Sequence, residues 1–131
     1  WDGWKQLTKY FKDKNNTVLD LACGNGRFLK FLSTSKTDLS RYLGVDNSSP
    51  LMEVAGELIE TLKNDNKKSS LELMHLDLQE PSWGTKIKDK FNLVVAFGIT
   101  HHLQSRESRR KFFETISYLV EKDGIFIVTF L

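Results

Sequence analysis

Three aspartates, Asp20, Asp46 and Asp77, each lie at or beside the end of a short apolar run that has the length of a β-strand. The first run leads into Gly24 and Gly26, a Gly-x-Gly turn at the start of a helical pattern. Glycine lets the backbone turn sharply and approach a ligand closely. A strand, a Gly-x-Gly turn, a helix and an acid ending the next strand are typical of a nucleoside-binding βαβ unit, in which Asp46 would accept hydrogen bonds from ribose hydroxyls.

The Gly-x-Gly turn alone does not choose between NAD, FAD and S-adenosylmethionine, but two neighbouring residues help. The dinucleotide pattern has a third glycine where this chain has Leu29. Asp20 precedes the turn, and a carboxylate there repels a pyrophosphate, which binds bare N–H groups at a helix N-terminus. The three aspartates together favour a cationic ligand that carries a sulfonium, an ammonium, a ribose and an adenine amino group. A nicotinamide oxidoreductase is the disfavoured alternative.

Structural roles are alternatives for the same residues. The two glycines could only close a tight turn between a strand and a helix, and Asp77 could cap a helix. Asp20 could orient the turn by accepting its N–H groups, which is compatible with ligand binding. Cys23, the only cysteine, has no cation beside it in the sequence and is interpreted as a small buried residue rather than a reactive thiolate.

Strand and helix patterns alternate along the chain, which predicts an α/β fold with a doubly wound, mostly parallel sheet. Ser49 and Pro50 predict a helix N-cap followed by proline at the first helical position. The apolar faces of the predicted helices place Tyr10, Leu51 and Val54 inward. Strands are predicted near 17–22, 41–46, 71–76, 91–97 and 124–131, and helices near 3–13, 27–32, 49–62 and 105–121.

Composition bounds the class of protein. The 131 residues are 40% hydrophobic with a net charge of +2, which fits one domain, 1–131, and gives no sign by itself of nucleic-acid binding. No apolar run approaches the ~18 residues of a membrane span, so no membrane association is expected. A single cysteine suits a reducing cytoplasm. Because the chain starts without Met and stops inside an apolar strand, we expect a fragment, truncated before the last strands of its sheet.

The order and spacing of these motifs resemble the class I S-adenosylmethionine-dependent methyltransferases over nearly the whole chain. Segment 20–26 matches the acidic glycine-rich first motif, with Ala22 where glycine is usual, and segments 91–103 and 121–128 match the fourth strand with its loop and the turn into the fifth. The resemblance implies a Rossmann-like sheet of order 3-2-1-4-5 and S-adenosyl-L-methionine as cofactor. The cofactor-binding residues it implies are Asp20, Ala22, Cys23, Gly24, Asn25, Gly26, Asp46, Asn47, Asp77, Leu78, Phe97 and Gly98.

The loop after the fourth strand carries the candidates for chemistry at the methyl group. His101 and His102 are the candidate catalytic residues, because imidazole titrates near neutral pH and could act as a general base. The favoured alternative is that they only pack and bond within the loop. Adjacent histidines lack the spacing of a metal site, so no metal is expected.

The acceptor is the least determined part of the prediction. Segment 99–110 resembles the corresponding loop of the tRNA wobble-uridine methyltransferases, which esterify a carboxymethyl group, and thereby implies tRNA modification with tRNA as partner. A carboxylate acceptor needs no base. Arg106, Arg109, Arg110 and Lys111 could face an anionic partner such as RNA, although an ordinary solvated helix face is slightly favoured. A small-molecule methyltransferase and a non-catalytic partner subunit stay open as alternatives.

Overall fold

The computed structural model describes residues 3–65, 68–99, 103 and 105–129. Short 3-10 helices cover Thr8–Tyr10 and Trp83–Lys86. The strands and α-helices, in chain order, are α1 (Trp4–Leu7), β1 (Asn16–Leu21), α2 (Arg27–Thr34), β2 (Leu39–Asp46), α3 (Ser49–Asp65), β3 (Ser70–His75), β4 (Phe91–Ala96), α4 (Arg106–Ser117) and β5 (Val120–Val128).

The five strands form one parallel sheet of order β3-β2-β1-β4-β5, which confirms the predicted topology. Every residue of β4 is buried, as expected for a central strand covered on both faces. From β1 the chain winds outward through β2 to β3 and then returns to place β4 on the other side of β1. The crevice at the carboxyl ends of β1 and β4 is therefore the topological switch point, where open α/β sheets bind ligands.

The strands alternate their side chains between two apolar layers. Val18 and Tyr42 pack with α2 and α3 on one face, whereas Leu19 and Leu43 pack with α4 and Trp83 on the other. All five are at most 3% exposed, and burying one such side chain stabilises the fold by roughly 1.5–3 kcal/mol. Asp20, the neighbour of Leu19, points to the α2 and α3 side because side chains alternate along a strand.

A polar contact at the opposite end of the sheet fixes the register of the two strands that flank the switch point. The Asn92 backbone N–H donates to Thr17 Oγ1 at 2.9 Å, and Thr17 Oγ1 donates to Asn92 Oδ1 at 2.8 Å. Asn92 is only 6% exposed, so its side-chain amide must be satisfied within the protein, and Thr17 binds its oxygen. This pairing aligns Asp20 with Val95 and so sets where β1 ends relative to β4.

Three predictions about the amino-terminal half were wrong. The leading helix predicted over 3–13 ends at Leu7 and continues only as a 3-10 turn, and Tyr10 is 51% exposed. The helix predicted to be capped by Ser49 begins one residue earlier, because Ser48 Oγ accepts the Leu51 N–H at 3.4 Å. Leu51 and Val54, predicted to face inward, are 43% and 49% exposed. The apolar stripe of α3 is thus wider than the surface that covers it.

The end of α4 also differs from the prediction. The helix stops at Ser117 rather than 121, since Leu119 O accepts the Phe91 N–H at 2.8 Å and β5 already begins at Val120. The turn predicted before the fifth strand exists as an irregularity inside β5. Phe91 pairs with Val120 and Leu93 with Ile125, so the residues between them loop out.

Candidate functional site

Two hollows lie side by side at the carboxyl ends of the strands and share Ala22. We call them the β2 hollow, with about 440 Å³ of empty space, and the β1 hollow, with about 1040 Å³. Of the residues predicted to bind the cofactor, the β2 hollow is lined by Ala22, Asp46, Asn47, Asp77 and Leu78. The β1 hollow is lined by Asp20, Ala22, Cys23, Gly24, Asn25, Phe97 and Gly98.

The turn between β1 and α2 has three residues in the left-handed region, Ala22 (φ 63°), Gly24 (φ 57°) and Gly26 (φ 90°). For Ala22 this conformation costs about 1 kcal/mol, and such strain is concentrated at functional sites. A Cβ on Gly24 would have only Leu51 Cδ1, at 3.9 Å, as a neighbour, so its Cα faces open space. A Cβ on Gly26 would approach Leu58 Cδ2 at 3.1 Å. Gly24 therefore leaves room for a ligand, whereas Gly26 lets α2 pack closely on α3.

Asp46 connects the glycine turn to the start of α3. Its Oδ2 accepts the Gly24 N–H at 2.8 Å and its Oδ1 accepts the Ser48 N–H at 2.9 Å. The Asp46 carbonyl oxygen accepts the Leu76 N–H at 2.9 Å, which ties the ends of β2 and β3 together. A carboxylate has about four acceptor sites, so two remain for hydroxyl groups of a ligand in the β2 hollow.

Asp20 forms part of the floor of the β1 hollow and is only 2% exposed, rather than standing at an acidic edge as the sequence suggested. Tyr42 donates its hydroxyl to Asp20 Oδ2 at 2.6 Å. Burial raises the pKa of Asp20 to about 7; the Tyr42 hydrogen bond opposes this rise and the nearby Asp46 carboxylate adds to it. The Asp20 carboxyl is therefore poised between its two charge states near neutral pH.

Asp77 does not cap a helix, which was the structural alternative for it, but closes a turn and lines a hollow. Its Oδ1 accepts the Gln79 N–H at 2.9 Å, which closes a turn after β3, and its half-buried side chain also lines the β2 hollow. The further walls of this hollow were not predicted and are mostly apolar: Leu76, Gln79, Ile99 and Leu103. The hollow can thus enclose a flat apolar ring and offer a carboxylate at its edge.

Phe97 and Gly98, the first two residues of the loop after β4, line the β1 hollow. Gly98 has φ 75°, its N–H donates to Thr129 Oγ1 at 3.1 Å, and a Cβ there would meet open space. The candidate bases His101 and His102 lie outside the described residues. Phe97 and Gly98 are consequently the described part of this loop that reaches the hollow.

Cys23 is a buried free thiol beneath the turn. Burial raises the pKa of this thiol, and the Asp20 and Asp46 carboxylates raise it further. This environment disfavours the thiolate, so Cys23 is not a nucleophile here, in agreement with the sequence interpretation.

Several residues of the site were missed from the sequence. Trp4 lines the β1 hollow, with its ring 5.3 Å from that of Phe28 and 5.4 Å from that of Phe97. Arg27 and Leu51 also line it. Leu51 carried a signal, since it occupies the first turn of a helix that follows Asp46, but helical periodicity assigned it to the core. Tyr42 was also missed; it lines neither hollow and donates its hydroxyl to Asp20.

The tight packing around Gly44, on β2 below the site, leads to a prediction about stability. A Cβ on Gly44 would lie 2.9 Å from the Tyr42 hydroxyl and 3.0 Å from Cys23 Sγ, so Gly44→Ala is expected to destabilise the protein by roughly 1–3 kcal/mol. Gly56→Ala is the matched control, because its Cβ would have only Leu73 Cδ1, at 3.9 Å, nearby and alanine favours a helix. Urea unfolding should show opposite signs for the two variants. Equal stabilities would contradict the packing described here.

Comparison with known proteins identifies the class. Residues 19–126 match the methyltransferase domain family, and the chain belongs to this family. The 3-2-1-4-5 sheet, with the glycine turn at its switch point, is the fold of this methyltransferase domain. A comparison with curated protein sequences found no match.

Solved structures share the fold. An S-adenosylmethionine-dependent methyltransferase from Clostridium acetobutylicum has a TM-score of 0.71 at 20% identity over 95% of this chain and 46% of that one. The N-methyltransferase NodS from Bradyrhizobium japonicum has 0.74 at 15%, over 97% and 65%. PKMT2 from Rickettsia typhi, in complex with AdoHcy, has 0.60 at 27%, over 87% and 20%. The chain therefore spans less than two thirds of the length of each of these proteins.

No helix within residues 3–65, 68–99 and 105–129 is long and apolar enough to cross a membrane. In the same part of the chain, no three or more His, Cys, Asp or Glu side chains are grouped so that they could hold a metal ion.

Proposed function

We propose that the protein binds S-adenosylmethionine across the two hollows and transfers its methyl group to an acceptor at the Phe97–Gly98 end. The observation that carries this proposal is the position of Asp46, which lines the β2 hollow and binds the N–H of Gly24 from the β1 hollow. With the N–H of Ser48 also bound, its carboxylate has acceptor sites to spare. A ribose joined on one side to adenine and on the other to a methionyl chain needs hydrogen-bond acceptors at this middle position.

The β2 hollow suits the nucleoside part of the cofactor. Leu78, Ile99 and Leu103 offer apolar surfaces for the adenine ring, and Asp77 is placed to accept a hydrogen bond from its amino group. Asp46 would accept hydrogen bonds from the ribose hydroxyls, and Asn47 is exposed beside it. Ligand sites typically combine such apolar walls with a few polar groups that fix orientation.

The β1 hollow suits the methionyl part. The turn from Ala22 to Asn25 presents backbone without a Cβ at Gly24, and Asp20 lies in the floor beneath it. An ionised Asp20 would attract the ammonium and sulfonium charges. Arg27, whose exposed side chain lines the same hollow, would face the cofactor's carboxylate.

The cofactor supplies an activated methyl group, so the protein's own task is to position the acceptor and to exclude water. Trp4 and Phe97 form an aromatic wall beside Gly98, where a nucleophile could approach the methyl carbon. We retain the proposal that neither His101 nor His102 is an indispensable base, because a carboxylate acceptor is already ionised at pH 7.

For the acceptor, we propose the carboxymethyl group of a tRNA wobble uridine, and the support is the likeness of segment 99–110 to the loop of that subgroup. The basic side chains of α4 do not add support for an RNA acceptor. Arg110 pairs with Glu114 at 3.3 Å and Lys111 with Glu107 at 3.6 Å, as expected for a solvated helix face. Such exposed pairs are weak and do not distinguish between acceptors, so a small-molecule acceptor is the second candidate.

The test has two stages. Isothermal titration of the purified protein with S-adenosylhomocysteine and with NADH should show binding of the first and none of the second; binding of NADH alone would overturn the assignment. Transfer of labelled methyl groups to bulk tRNA and to a mixture of small carboxylic acids then identifies the acceptor class. Binding without transfer to either would favour a non-catalytic partner subunit.

A further inference from the structure

We propose that Tyr42 is a positioning residue for the cofactor: its hydroxyl holds the Asp20 carboxyl beneath the glycine turn and keeps that carboxyl available to a cationic ligand near neutral pH. This inference rests on the proposed function, because it assigns a partner and a control to the same binding site. Tyr42 itself lines neither hollow.

The geometry follows from the pairing of β1 with β2. Asp20 pairs with Gly44, and Tyr42 lies two residues earlier on the same face of the sheet, so its ring extends along the strand towards Asp20. The hydroxyl reaches Asp20 Oδ2 at 2.6 Å, and both side chains are almost completely buried. A charge-assisted bond this short fixes the carboxyl in one orientation.

Gly44 makes this reach possible. A Cβ at Gly44 would stand 2.9 Å from the Tyr42 hydroxyl, so any larger residue would push the ring away from Asp20. The pattern Tyr42-x-Gly44-x-Asp46 on β2 therefore contributes two contacts to the site. Its tyrosine reaches Asp20 through the gap at the glycine, and its aspartate, Asp46, binds the Gly24 N–H.

The charges around Asp20 explain why this donor matters. On β2 it faces the Tyr42 hydroxyl and the Asp46 carboxylate, on the turn it faces the Cys23 thiol, and at the start of α2 only the exposed Arg27 shares its hollow. None of the ion pairs found among the described residues involves Asp20. Burial and Asp46 raise the pKa of this carboxyl to about 7, and Tyr42 supplies the opposing interaction.

This arrangement links binding of the cofactor to the ionisation of Asp20. A cation in the β1 hollow stabilises the ionised form of Asp20, so binding below about pH 7 must release a proton from that carboxyl to solvent. The affinity should then rise by up to tenfold for each pH unit and level off above neutrality. Tyr42→Phe removes the hydroxyl that favours ionisation, so the levelling-off should move upward by roughly one pH unit and the affinity at pH 7 should fall roughly fivefold.

The experiment is calorimetric titration with S-adenosylmethionine from pH 5.5 to 8.5, in two buffers of different ionisation heat, which counts the protons released. Asp20→Asn is the matched control, since it keeps the size of the side chain and removes its titration. It also reports the pH dependence that belongs to the ligand's own amino group. Near pH 6.5, the wild type should release close to one proton more on binding than Asp20→Asn does. Tyr42→Phe should show the same excess over Asp20→Asn near pH 7.5.

The outcomes separate this inference from the function on which it rests. If the wild type fails to bind at every pH, the proposed function is overturned. If it binds but releases no more protons than Asp20→Asn, only the present inference falls. A third outcome is that Tyr42→Phe loses affinity equally at all pH values and keeps the wild-type dependence of affinity on pH. That result would mean that Tyr42 only packs, and it would also overturn the inference. Should Tyr42→Phe not fold, Gly44→Ala perturbs the same contact, because its Cβ would stand 2.9 Å from the Tyr42 hydroxyl. A Gly44→Ala profile that levels off at the same pH as the wild type would then overturn the inference.

Discussion

Replacing Asp46 with alanine should weaken the binding of S-adenosylhomocysteine about 100-fold. The substitution removes the two proposed hydrogen bonds to the ribose, and it also leaves the N–H groups of Gly24 and Ser48 without their acceptor. Hydrogen bonds to charged groups contribute roughly 1.5–3 kcal/mol each, so a loss of about 3 kcal/mol is a moderate expectation for the pair, and it corresponds to the 100-fold change.

Calorimetric titration at pH 8, where Asp20 is mostly ionised, is the appropriate measurement. Asp77→Ala is the control from the same hollow. Its carboxylate accepts one backbone N–H, that of Gln79, in an exposed turn, and would bind only the edge of the adenine, so a loss of under tenfold is expected. If Asp46→Ala bound the ligand as tightly as the wild type, the assignment of the ribose to Asp46 could not stand.

Asp20→Asn should make the protein more stable and less able to bind its cofactor. The carboxyl's pKa is about 7 in the fold against the usual 3.8, so between these values the folded state holds a proton that the unfolded chain has lost. The free energy of unfolding must therefore fall as the pH rises towards 7. The full gap corresponds to about 4 kcal/mol, of which roughly 2–3 kcal/mol should be lost between pH 5 and pH 8.

Urea unfolding of the wild type and of Asp20→Asn at both pH values isolates this contribution, since the other carboxylates are common to both proteins. The variant should exceed the wild type in stability by 2–3 kcal/mol more at pH 8 than at pH 5. Asp77→Asn controls for the loss of an aspartate elsewhere in the site and should not reproduce this difference. A wild type whose stability tracks that of Asp20→Asn across the range would show that the Asp20 carboxyl is not strained by its burial. Binding sites often retain such costly residues because function requires them.

The strands and the position of the site at their carboxyl ends could be predicted because they depend on local signals. Apolar runs of strand length and the Gly-x-Gly turn are readable one segment at a time, and the order of the strands followed from the family resemblance. The end of α4 could not be predicted in this way. The apolar residues continue from the helix through Leu119 into Val120, and only the contact between Leu119 O and the Phe91 N–H shows where the helix gives way to a strand.

Tyr42 was missed for a different reason. Alternation along β2 indicates which face the ring occupies, but its contact with Asp20 depends on the register of two strands that are distant in sequence. The exposure of Leu51 and Val54 was missed because periodicity identifies an apolar face without saying how much of that face another element covers. Residues that act across strands or at the edge of a packed face therefore require the assembled structure.

The hydrogen bonds of Asp46 bear on how fast a ligand could bind. Because its carboxylate already accepts the Gly24 and Ser48 N–H groups, the turn and the start of α3 are held in place before any ligand arrives. Little ordering of the backbone remains to oppose association at this end of the site. The encounter then needs no prior rearrangement of the turn, and differences in affinity among ligands altered at the ribose should arise mainly from how long the ligand stays bound rather than from how quickly it enters.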